Sequence, residues 1–85
     1  MKKPPSQLEK DIENQIIECV SQIYWHYNQN FNYSDVLKSV KYNGRTKSRL
    51  LKLVKAVKKM SANDTNIKII DLRNRLNLLV SLYAL

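Results

Sequence analysis

One glycine, two prolines and one cysteine among 85 residues leave little material for tight turns, broken helices or cross-links. An all-β sandwich or barrel needs turn-forming residues at short, regular intervals, and a disordered chain carries fewer apolar side chains than the 44% present here. Helices joined by short polar loops are what is left. A single cysteine cannot close an internal disulfide, which fits a reducing compartment.

The same scarcity excludes most chemistry. A structural zinc site takes four ligands, and one Cys with one His cannot supply them. Cys19 and His26, the one nucleophile-and-base pair, lie on one expected helix, where a seven-residue offset separates them by ~10.5 Å of rise. They cannot hydrogen-bond, so Cys19 reads as a small core hydrophobe and His26 as a boundary residue. Gly44 stands alone, so there is no glycine-rich loop to cradle phosphate. Glu9 and Glu13, one turn apart near a helix start, suit capping and the helix dipole better than acid-base chemistry. No enzymatic activity, metal or cofactor is expected.

No apolar run follows Met1, and no stretch approaches the ~18 apolar residues that would span a bilayer. The expectation is a cytoplasmic protein without a transmembrane segment. Asn32-Tyr33-Ser34 and Asn63-Asp64-Thr65 match a glycosylation acceptor pattern but read as loop and cap residues.

The most informative absence is of negative charge in one place. The chain carries a net +8, and nine lysines and arginines against Asp35 fall between residues 31 and 60. From Arg45 to Met60, RTKSRLLKLVKAVKKM, there is no carboxylate at all. At about 100° per residue Leu50, Leu53, Val54, Val57 and Met60 share one sector, the spacing of a core-facing helix. Arg45, Arg49, Lys52, Lys55 and Lys59 fall opposite, with Lys58 at the flank. A merely solvated helix interleaves Glu with Lys at i, i+4. Crowded cations without such partners point to an external polyanion.

In chain order, residues 1–5 are expected to form a flexible tail, and Ser6 with Glu9 forms a capping box that starts a helix near Gln7. Leu8, Ile12, Ile16, Cys19, Val20, Ile23 and Tyr27 form its apolar stripe, and Trp25 stands among polar residues, where it is a candidate protein contact. Ser34-Asp35 can begin a short second helix that buries Val36, Leu37 and Val40 and stops at Asn43-Gly44. Short helix, glycine turn and basic helix resemble a helix-turn-helix in outline, although Ser39 and Asn43 fall where that motif takes apolar residues. Asp64 or Thr65 is expected to cap a last helix with two apolar stripes. Ile69, Leu72, Leu76, Leu79, Val80 and Tyr83 form one; Ile67, Ile70, Leu78 and Leu82 form the other. The reading is all-α: a small bundle of four helices, one short, in a single domain over 6–85.

Three partner classes follow. The leading expectation is a small regulatory protein that binds nucleic acid, duplex DNA above all, through Lys38, Lys41, Arg45, Lys47, Arg49, Lys52, Lys55 and Lys59, mostly by phosphate contacts. Arg45 and Arg49 have the planar fork that matches guanine. The alternative is an adaptor, inhibitor or immunity-type bundle acting on an acidic protein, with Trp25, Ile67, Ile70, Leu78 and Leu82 as protein interface. The second stripe of the last helix also suggests a homodimer. A membrane surface ranks last, because the apolar side of the basic helix has no Trp or Phe.

Overall fold

The 21 residues from Gln7 to Tyr27 contain no glycine or proline and repeat their apolar side chains at helical spacing, so they form one uninterrupted helix, α1. The computed structural model describes residues 7–30, 34, 38 and 46–84. Among these it is all-helical, with α2 over Thr46–Met60 and α3 over Ile67–Tyr83. That makes three helices where four were expected. The short second helix of the expected bundle and its Gly44 turn lie outside the described residues, apart from Ser34 and Lys38, which are both helical. Residues 1–5 lie outside them as well.

Helix α1 is the shared support. It packs against both α2 and α3, which touch each other far less. Ile12, Ile16, Ile17, Cys19, Val20 and Ile23 are all buried, and they meet Leu50, Val54 and Val57 of α2 and Leu76, Leu79 and Tyr83 of α3 in one cluster. Being covered from two sides widens the buried sector of α1 beyond the expected stripe. Ile17 and Ser21 are inside, and Ser21 satisfies its hydroxyl by donating to the Ile17 carbonyl at 2.7 Å. The stripe also ends sooner than expected: Leu8 is 70% exposed and Tyr27 40%.

The α2 core face is Leu50, Val54 and Val57, with Leu53 half-buried against the cluster. Met60, expected inside, is exposed, and its neighbour Ser61 is fully buried just past the last turn. The small hydroxyl fits there because it bonds back to the Val57 carbonyl at 2.8 Å. The end of α2 has no glycine to cap it. Arg73 on α3 fills that role, donating from Nη1 to the Ser61 carbonyl at 2.7 Å and the Ala62 carbonyl at 3.0 Å. A cation near a helix's free carbonyls also complements its dipole.

The cap of α3 is Asn66, not Asp64 or Thr65. Its side chain accepts from the Lys68 amide at 2.9 Å with the backbone extended at φ −64° and ψ 125°. Asp64 is engaged elsewhere. Its Oδ1 accepts from the Asn66 amide at 2.8 Å, and its Oδ2 accepts from the Tyr27 hydroxyl. The loop between α2 and α3 is thereby tied to the end of α1.

Candidate functional site

Lys52, Lys55 and Lys59 occupy the outer side of α2, and all three are exposed. They fall within about 60° of one another on the helix circumference, directly across from Leu50, Val54 and Val57. Burial of that apolar side against α1 fixes which way the lysines point. None of the three makes a salt bridge with a carboxylate among the described residues, and α2 has no acidic residue of its own.

The other expected cations are arranged differently. Arg49 is half-buried at the edge of the core face, as is Lys58. Lys47 is exposed, yet its Nζ lies 5.0 Å from the centre of the Tyr83 ring, so its charge is directed at α3. Lys38 is exposed on a helical residue. Lys41 and Arg45 lie outside the described residues. Among the described residues, Lys52, Lys55 and Lys59 are the members of the expected basic site that share one exposed helix face.

Exposed apolar groups form a second feature. Ile67, Leu78 and Leu82 of α3 are 75%, 70% and 56% exposed and lie on the side away from the core. Ile70, expected with them, is half-buried. Trp25 is 55% exposed but does not join this stripe. It lines an open groove of about 550 Å³ between α1 and α3, with Ser21, Ile69 and Leu72 along it and Glu18, His26 and Lys68 at its rim.

The titratable groups near the groove are committed to the fold. His26 Nε2 is 4.0 Å from Asp64 Oδ2. The Tyr27 hydroxyl, helped by the Asn66 amide, holds the Asp64 carboxyl below the ordinary carboxylate range, and Asp64 in turn raises Tyr27. Burial pushes the Cys19 thiol up, with the Arg75 guanidinium acting the other way. This is the setting of an inert thiol, not a nucleophile. Among the described residues no three of His, Cys, Asp or Glu gather as a metal site, and no helix is long and apolar enough to cross a membrane.

The polar ties that lock the helices together are Tyr83 to Glu13, Tyr27 to Asp64 and Arg73 to the Ser61 and Ala62 carbonyls just past α2. Sequence periodicity does not reveal them, since it says which face a residue occupies and nothing about a partner tens of positions away. No protein family, curated protein or solved structure matches this chain.

Proposed function

We propose that the outer face of α2 binds a polyanion, duplex DNA in the first instance, as part of a small regulatory protein. The observation that carries this reading is that Lys52, Lys55 and Lys59 share one exposed side of a helix, with no carboxylate among the described residues to neutralise them. Three like charges held this close repel one another, and phosphate relieves the repulsion while releasing counterions from the nucleic acid. From Lys52 to Lys59 is ~10.5 Å along the helix, roughly three base-pair rises along the duplex axis. Contacts of this kind position a protein on the backbone and carry little sequence preference. Arg49, half-buried, adds less base recognition than a fully extended fork would.

The test is a salt titration of binding to a short DNA duplex. With three phosphates neutralised, affinity should fall about 40-fold between 50 and 200 mM salt. The Lys52→Ala, Lys55→Ala, Lys59→Ala triple variant should lose both the affinity and the slope. A parent that binds equally well at both salts, or a triple variant that binds like the parent, rejects the proposal.

A second reading is an adaptor or inhibitor bundle acting on an acidic protein, and the observation favouring it is the exposed Trp25 beside the α1–α3 groove. A complex that survives nuclease treatment and is lost in Trp25→Ala supports it over the first.

A further inference from the structure

The outer side of α3 is complementary to itself. At about 100° per residue, Ile67, Asp71, Asn74, Arg75, Leu78 and Leu82 lie in one sector of roughly 100°, opposite the buried Ile69, Leu76, Leu79 and Tyr83. All six are exposed. Asp71 and Arg75 make no salt bridge among the described residues, so each offers a charge without an ion-pair partner in the middle of an apolar stripe, Arg75 also acting on the Cys19 thiol of α1.

From this arrangement we infer that α3 pairs with α3 of a second copy of this chain, antiparallel, about a two-fold axis near Leu72–Arg73. The orientation follows from the charges. In a parallel pair, Asp71 would face Asp71 and Arg75 would face Arg75, and both contacts repel. In an antiparallel pair, the axis that sets Asp71 against Arg75 of the second copy lies midway between them, at position 73. The axis that sets Ile67 against Leu78 lies within half a residue of it, ~0.75 Å along the helix. One register therefore satisfies both sets twice, as an isologous contact requires. Leu82 then extends past the end of the second α3 and covers the loop ahead of it. A single helix against its copy falls at the low end of interface sizes, so the association is weak and concentration-dependent. It is independent of what α2 binds.

The experiment is sedimentation equilibrium from low micromolar to submillimolar concentration. The parent's mass should rise from 10.0 kDa towards twice that value. Asp71→Arg places arginine against arginine, and Arg75→Asp places aspartate against aspartate, so each variant alone should associate at least about tenfold more weakly. Mixed in equal amounts, the two should recover the parent's association, because one copy then presents arginine at both positions and the other presents aspartate at both. The two positions are exposed, and circular dichroism checks that the variants fold. Leu78→Gln, also at an exposed site, should weaken association without touching a charge. A parent that stays monomeric throughout, single reversals that pair like the parent, or a mixture that fails to recover pairing each overturns the inference.

Discussion

Tyr83 and Glu13, seventy positions apart in the chain, are joined by a 3.0 Å hydrogen bond from the phenol hydroxyl to Oε2. The ring beneath that hydroxyl is buried in the core and carries the Lys47 ammonium 5.0 Å from its centre. One side chain of α3 is thus held by α1 through its tip and by α2 over its face.

Replacing Tyr83 with Phe keeps the ring and removes the donor. Glu13 then loses a partner at a half-buried site, which should cost about 1–2 kcal/mol in urea unfolding. Lys47→Ala removes only an exposed ring contact and should cost about 0.5 kcal/mol. A Tyr83→Phe variant as stable as the parent would show that the hydrogen bond adds nothing.

Alkaline pH acts on the same group. Burial, then the Glu13 hydrogen bond, raises the Tyr83 pKa above the ordinary phenol value. A folded pKa above the unfolded one means the proton is held more tightly in the native state. The stabilisation is complete below about pH 10 and is lost as pH rises from there towards the folded value. Ultraviolet titration should show both Tyr27 and Tyr83 ionising late, and Tyr83→Phe should remove one of those two late tyrosines.

At the acid end the sign reverses. Asp64 has a folded pKa below its unfolded value because Tyr27 and the Asn66 amide favour the carboxylate. Its contribution is present above about pH 4 and fades as pH falls through the lowered folded value. Thermal melts of Asp64→Asn should depend less on pH in that range than melts of the parent.

Arg73→Met keeps a long stem but removes the two bonds to the Ser61 and Ala62 carbonyls. The loss should be about 1.5–3 kcal/mol, the range for hydrogen bonds from a charged group. Amide exchange should accelerate in the last turn of α2 well before it does in α1. Uniform acceleration along the chain would assign Arg73 to global stability instead.

Ile16→Ala removes a side chain with no exposed surface from the cluster to which all three helices contribute. A loss of about 2–5 kcal/mol is expected, enough to unfold much of a chain this short. Far-ultraviolet dichroism at ambient temperature reads this directly.

What the sequence made legible was what periodicity encodes. The presence of α1, α2 and α3, the buried trio of Leu50, Val54 and Val57, and the exposure of Trp25, Ile67, Leu78 and Leu82 all follow from apolar spacing. Periodicity failed where tertiary contact decided. Ile17 and Ser21 are buried because α1 is covered on two sides, Ser61 and not Met60 is buried at the end of α2, and Asn66 caps α3 while Asp64 is engaged by Tyr27. Lys47 and Arg49 differ from the outer lysines for a related reason: they sit where the cationic side meets the core, and a wheel does not say which neighbour will engage them.

Cys19 lies 3% exposed within the apolar cluster, with its thiol held protonated by burial. An alkylating reagent can reach it only during the brief intervals when the helices separate. Its labelling rate, divided by the rate for the unfolded chain, therefore counts how often the interior opens, and the molecule carries that gauge without any added probe. If a polyanion or a second copy clamps the bundle, the gauge should slow in proportion to the occupancy.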